Sequence, residues 1–138
     1  MQFPPSPTFP AWAHDDRWAW LLQDDEPLRN CTREYLDAGH WQHFWLVDST
    51  LRAFTVREVS VTGRAGILGW RPGYKGTYVK VKLTWFASQL SLAEAKTHVD
   101  TFVASHPQLV ASAAQSIGAF RKSVAASRSA QELLAALA

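Results

Sequence analysis

Residues 77–107 constrain the fold most, because two different hydrophobic periods meet there. Over residues 78–86 apolar and polar side chains alternate strictly, which predicts a β-strand with one buried face. The side chains expected to point inward are Val79, Val81, Leu83 and Trp85. Such a face needs a layer of structure to cover it, and the residues that follow can supply that layer.

A capped helix is predicted directly after this strand. Ser91 and Glu94 have the spacing of a capping box, in which each side chain bonds the backbone amide of the other residue. Apolar residues then recur at helical spacing until Pro107. We therefore expect this helix to pack on the strand, with Val99 and Phe102 buried beside the apolar strand residues.

Two further strands are predicted upstream. Residues 41–47 alternate with apolar side chains on both faces, which indicates a central strand. Residues 48–50 have turn composition, so residues 52–62 are interpreted as the returning strand of a hairpin. The apolar residues Phe54 and Val56 occupy even positions of that strand, whereas Val59 and Val61 occupy odd ones. A β-bulge near Arg57 and Glu58 would bring both pairs to the same face.

Helices are predicted before and after the three strands along the chain. Residues 15–22 are interpreted as a short capped helix, although their alternation also fits a strand. A second helix is expected from Pro27, with Gly39 as its stop. After Pro107 another helix is expected, and a second capping-box spacing at Ser129 begins a last short one.

These elements predict one α+β domain. Residues 1–10 contain four of the seven prolines and are expected to form an extended tail. Residues 11–138 are long enough to bury one core without metals or disulfides. The predicted fold is a three-stranded, or at most four-stranded, antiparallel meander flanked by N-terminal and C-terminal helices.

The sequence gives no sign of export or membrane insertion. The first residues carry neither a basic segment nor an apolar run, and no stretch approaches the roughly 20 apolar residues of a membrane span. Cys31 is the single cysteine and has no partner within the chain for a disulfide. A cytoplasmic location is expected.

The charges are distributed unevenly. Residues 1–48 hold eight acids and three bases, residues 49–90 one acid and seven bases, and residues 91–138 three acids and four bases. The basic middle third is typical of a surface for nucleic acid or for an acidic protein. It can equally be neutralised by the acidic first third.

A glycine-rich segment at residues 63–76 is the first candidate for function, since it holds five of the seven glycines. It matches neither the Walker pattern nor the dinucleotide fingerprint, so phosphate binding is not expected. Trp, Tyr and Arg are enriched at binding hot spots. The candidate partner-binding residues are therefore Arg64, Trp70, Arg71, Tyr74 and Lys75. The alternative is that Trp70 covers the sheet as part of the core.

A basic and aromatic strand face is the second candidate. Arg57, Lys80 and Lys82, together with Tyr78, can form such a face, as in platforms for single-stranded nucleic acid. Lysines also solvate ordinary exposed strands, so this pattern has a purely structural explanation too.

No residue pattern predicts catalysis, a metal or a cofactor. His40 and His43 lie three apart on a predicted strand, where they would point to opposite faces, and no third ligand has a suitable spacing. His98 and His106 lack the surroundings of a general base. Cys31 falls on an apolar stripe and is interpreted as a buried hydrophobe. A non-enzymatic protein is expected.

In size, aromatic richness and single-domain α+β layout the chain resembles the small cytoplasmic immunity proteins of bacterial toxin systems. The resemblance is one of general type and transfers no functional residue. It implies a protein that binds a cognate toxin and neutralises it by occluding the active site or a substrate surface. The leading hypothesis is a protein-binding module of this kind. The alternative is a small nucleic-acid-binding or regulatory domain that uses the basic middle third.

Overall fold

One antiparallel sheet dominates the computed structural model, which describes residues 6–65, 78–106 and 117–137. The sheet has six strands and curls into a half-barrel. In chain order they are β1 (Ala11–His14), β2 (Ala19–Leu22), β3 (Asn30–Thr32), β4 (Trp45–Val47), β5 (Arg52–Ala65) and β6 (Tyr78–Gln89). Their order across the sheet is β2-β1-β4-β5-β6-β3.

Four α-helices accompany the sheet in the described part of the chain: α1 (Arg33–Asp37), α2 (Leu92–Ser105), α3 (Ile117–Ala126) and α4 (Ala130–Ala136). Two short 3-10 helices cover Glu26–Leu28 and His40–His43. The capping box at the start of α2 is confirmed, because Ser91 and Glu94 each accept a hydrogen bond from the other's backbone amide. None of the described helices has the length and hydrophobicity needed to cross a membrane.

The predicted three-stranded meander is wrong, since β1, β2 and β3 add three strands to it. Residues 15–22, for which a helix was the preferred interpretation, form a turn and strand β2 instead. Asp15 holds this turn, because its Oδ1 accepts hydrogen bonds from the backbone amides of Arg17 and Trp18, both at 2.7 Å. An aspartate can cap a helix or close a turn in this way, and pairing of β2 with β1 selects the turn.

The helix expected from Pro27 is also largely replaced. Pro27 lies in a 3-10 helix, and Asn30–Thr32 pairs with the beginning of β6 as strand β3. Only α1 remains of it, and Gly39 follows that helix with a φ of 74°, as expected for a stop. Strand pairing with residues almost 50 positions away overrides the local helical pattern.

The β5–β6 hairpin agrees with the sequence and is longer than predicted. A register shift between Val56 and Glu58 confirms the expected bulge. A second shift lies between Val61 and Gly63. Bulges bend a strand and increase its twist, so the two shifts fit the curl of the sheet. Strand β4 is shorter than predicted, because residues 40–43 form a 3-10 helix before it.

The sheet has a different core on each face. We call the face away from helices α2, α3 and α4 the inner face, and it buries Val79 and Val81 together with Leu46 and Phe54. On the outer face, helices α2, α3 and α4 cover Trp12 and Val47. The predicted register of β6 is confirmed, since Lys80 and Lys82 are exposed.

The expected packing of α2 on the apolar side of β6 is wrong. Val99 and Phe102 belong to the outer core with Trp12, whereas Val79 and Val81 belong to the inner core. The physical reason is that alternate strand residues face opposite sides. Helix α2 covers the outer side of β1 and β4, where Trp12 and Val47 point.

Candidate partner-binding surface

The structure leaves the predicted glycine-rich site largely untested. Arg64 lies in β5, where its backbone is in register with Val79. Trp70, Arg71, Tyr74 and Lys75 lie outside the described residues. The proposal that residues 63–76 bind a partner therefore stays a prediction.

A different surface is well defined, on the outer side of the β5–β6 hairpin. We call it the outer β5–β6 face, and its exposed residues include Arg57, Glu58, Ser60, Tyr78, Lys80, Lys82 and Phe86. The register places Ser60 beside Lys82, and the bulge at Arg57 lets that side chain reach Phe86. Among the described residues, no helix packs over this part of the sheet.

Two large aromatic side chains lie on this face in contact with solvent. Phe86 is 59% exposed and Tyr78 is 48% exposed. The guanidinium carbon of Arg57 lies 5.7 Å from the centre of the Phe86 ring, which is within cation–π range. Aromatic residues and arginine are each enriched in protein interfaces relative to the rest of the protein surface.

The outer β5–β6 face is basic. Arg57, Lys80 and Lys82 carry positive charge, and Glu58 is its one acidic residue. Within the described part of the chain, none of the three bases forms a salt bridge. Their charge is therefore not neutralised by a described neighbour and can attract an acidic ligand.

A second group of polar residues connects the β1–β2 turn to α1. Asp16 Oδ1 lies 2.9 Å from His40 Nδ1, and Arg17 Nη1 lies 3.0 Å from His40 Nε2. Because arginine can only donate, Nε2 accepts and Nδ1 carries the proton. Tyr35 donates its phenolic hydrogen to the buried Asp15 at 2.6 Å. Burial, and then this hydrogen bond, raise the pKa of Tyr35.

An aspartate–histidine pair of this kind orients the general base in many hydrolases. Here the Nε2 lone pair is occupied by Arg17, and no described serine, threonine or cysteine side chain bonds His40. A cavity of about 420 Å³ lies beside the pair, lined in part by Arg17, Tyr35 and His40. These hydrogen bonds fix the β1–β2 turn against α1 and the 3-10 helix that contains His40.

A histidine pair that the sequence did not predict joins β1 to α2. His14 Nε2 and His98 Nε2 are 2.9 Å apart. Trp45 stacks on His98 with 3.6 Å between the ring centres, and Phe102 stacks on His14 with 3.9 Å between the ring centres. Burial lowers the pKa of His14 to about 4, and burial also lowers the pKa of His98. Both rings are therefore neutral at pH 7 and belong to the outer core. They are 84 residues apart in sequence, so no local pattern could reveal them.

The histidines first considered as metal ligands do not lie on a strand. His40 and His43 belong to a 3-10 helix, so the argument that they would point to opposite faces of a strand does not apply. His40 is buried against Asp16, whereas His43 is exposed. No three histidine, cysteine, aspartate or glutamate side chains of the described residues lie close enough to hold a metal ion. Cys31 is buried in the inner core, and burial raises the pKa of its thiol.

No family model, curated protein or solved structure matches this chain. Its function must therefore be inferred from the surfaces described above.

Proposed function

We propose that the protein is a non-enzymatic protein-binding module whose partner contacts the outer β5–β6 face. The observation that supports this most is Phe86, a large aromatic side chain that is 59% exposed with Arg57 against its ring. The exposed part of this ring leaves apolar surface in water in the isolated chain. A partner that covers it gains the free energy of burying a large apolar surface.

The backbone beneath this face favours tight binding. Strands β5 and β6 are paired along most of their lengths, so the surface residues are attached to a rigid scaffold. A side chain held in place before binding loses less conformational entropy when the complex forms. This distinguishes the face from a flexible recognition loop.

The charge of the face indicates an acidic partner surface. Lys80, Lys82 and Arg57 surround a region with a single acid, Glu58. Complementary charges accelerate association and disfavour wrong partners. The resemblance to immunity proteins makes a cognate toxin, met in the cytoplasm, the first partner to test. The predicted contact residues of the 63–76 segment would then extend the same interface.

Single-stranded nucleic acid is the second candidate, because the same bases and Tyr78 could meet phosphates and bases. The aromatic spacing argues against it. Tyr78 and Phe86 are eight residues apart on β6, about 27 Å at 3.3 to 3.4 Å per residue, whereas such proteins stack successive bases on neighbouring rings. Glu58 would also repel phosphates.

An affinity capture with matched variants tests the proposal. Tagged wild-type protein, Phe86→Ser and Lys82→Glu are compared with the controls Trp18→Ser and Lys122→Glu, whose side chains are exposed elsewhere. Quantitative mass spectrometry should find a protein that is retained by wild type and both controls and lost by both face variants. Equal retention by all five proteins would contradict the proposal.

A salt titration with a single-stranded oligonucleotide separates the second candidate. Nucleic-acid binding through these bases should fall by orders of magnitude between about 50 and 200 mM salt. We expect no appreciable oligonucleotide binding at physiological salt.

A further inference from the structure

One edge of β6 is paired over only part of its length. Strand β3 pairs with Tyr78, Val79 and Lys80, and the backbone amide of Val81 then donates to the carbonyl of Arg29 at 2.8 Å. Over residues 82–89, no described residue pairs with this side of the strand. Over these eight residues the edge has no strand partner in the described part of the chain, and we call it the open edge. A cavity of about 350 Å³ borders it at Lys82, Leu83 and Trp85.

The direction of the unpaired backbone groups follows from two hydrogen bonds. The Val81 amide points away from β5, toward β3, and the Leu90 amide points the other way, toward Leu51, at 2.9 Å. Both register shifts of the hairpin place the extra residue in β5. Along β6 the backbone groups of successive residues therefore point alternately toward β5 and away from it. The outward N–H and C=O groups therefore belong to Leu83, Trp85, Ala87 and Gln89.

This edge carries few of the features that natural proteins use to block pairing. Residues 82–89 contain one charged residue, Lys82, and neither proline nor glycine. They include Thr84, Trp85 and Phe86, which have high β-propensity. Exposed edges are usually interrupted by charges, proline or a bulge. In a single chain water can satisfy these donors and acceptors, and another extended backbone can replace the water along the whole alternating row.

We infer that the open edge of β6 pairs with the same edge of a second copy of this chain. An antiparallel pairing across a two-fold axis matches residues on the same face, so the axis passes through Phe86. With Trp85 on the axis, Gln89 would meet Val81, whose amide is already bonded to Arg29. With Phe86 on the axis, Lys82 faces Leu90 of the second copy, and no like charges meet. The two half-barrels form one continuous sheet of twelve strands.

The pairing would also double the proposed binding surface. Phe86 lies on the outer side of β6 close to the axis, so the outer β5–β6 faces of both copies would lie side by side. The inference does not depend on the identity of any partner, because it rests on the backbone of β6. Its failure would leave the proposed function of the face unaffected.

Light scattering after size exclusion, over a wide range of protein concentration, measures the mass. Wild type should approach twice the 15.4 kDa of one chain as concentration rises. Ala87→Lys adds a charge at the open edge and should remain at the single-chain mass. Ala104→Lys, at an exposed position of α2, is the matched control and should behave as wild type. Ala87→Pro removes an outward N–H and should give the same result as Ala87→Lys.

Amide hydrogen exchange gives an independent readout. The amides of Thr84, Phe86 and Ser88 point toward β5 and should be protected at every concentration. The amides of Leu83, Trp85 and Ala87 should become protected only as the protein dimerises. The inference is overturned if wild type stays at the single-chain mass with these three amides exchanging fast, or with them protected at all concentrations. It is equally overturned if both Ala87 variants remain dimeric.

Discussion

One row of paired residues crosses the outer side of the sheet and shows two different environments. The row runs from His14 in β1 through Trp45 and Thr55 to Phe86 in β6. At the β1–β4 end, His98 of α2 contacts both His14 and Trp45. At the β5–β6 end, Thr55 and Phe86 are exposed. The same face of one sheet is therefore core at one end and surface at the other.

The comparison shows that an aromatic residue acquires its role from the layer above its strand. Trp12 and Phe86 both lie on outward positions of β-strands, but Trp12 is 2% exposed and Phe86 is 59% exposed. Helix α2 and its neighbours cover the first and leave the second bare. Substitutions at the covered end should change stability, and those at the bare end should change binding.

The largest expected effect is at the covered end. Trp12→Ala removes a large side chain that contacts Phe102 and Trp45, and it should lower the free energy of unfolding by about 3 to 5 kcal/mol. Urea denaturation of both proteins measures the difference. A loss below about 1 kcal/mol would mean that the helices do not pack on this part of the sheet.

The next effect is a pH dependence of stability that arises from the same end. Burial holds the folded pKa of His14 at about 4, whereas the unfolded chain binds a proton near 6.5. The free energy of unfolding should have its full value above pH 6.5 and should decrease by up to about 3 kcal/mol as the pH falls to about 4. The lowered pKa of His98 acts in the same direction.

Unfolding of wild type and His14→Gln, measured at several pH values, tests this prediction. His14→Gln should flatten the profile between pH 4 and 6.5. If His14→Gln retained the full slope, protonation of this histidine would not control the outer core.

A smaller effect concerns the cap of the covering helix itself. Ser91→Ala removes the hydroxyl that accepts from the Glu94 amide and should cost about 1 kcal/mol. Ser91→Thr keeps a capping oxygen and should recover most of that loss. If both variants had wild-type stability, the hydroxyl cap of α2 would contribute nothing to the stability of the outer core.

Local signals explain which parts of the fold could be predicted. Strand β6 and helix α2 combine strict periodicity with a capping box, and both are present as expected. Strands β2 and β3 depend on pairing with distant residues, and β3 has only three residues, too few to show a period. The side of the sheet that α2 covers is likewise decided by Trp12 and Val47, far from α2 in sequence.

The same reasoning applies to the candidate site. Alternation along β6 predicted that Tyr78, Lys80 and Lys82 share an exposed face, and the structure places them there. The contact of Arg57 with Phe86 depends on the register created by the bulge, which spacing alone does not specify. The histidine pair between β1 and α2 had no sequence signal at all.

The most direct test of the account compares Phe86→Ser with Trp18→Ser, the loss of an equally exposed aromatic from the β1–β2 turn. The measurement is the affinity of each variant for the captured partner, together with its free energy of unfolding. Phe86→Ser should weaken binding by about 2 kcal/mol or more while stability changes by less than about 1 kcal/mol. Trp18→Ser should leave affinity unchanged. Wild-type affinity in Phe86→Ser, or a loss of affinity that only follows unfolding, would contradict a binding role for the outer β5–β6 face.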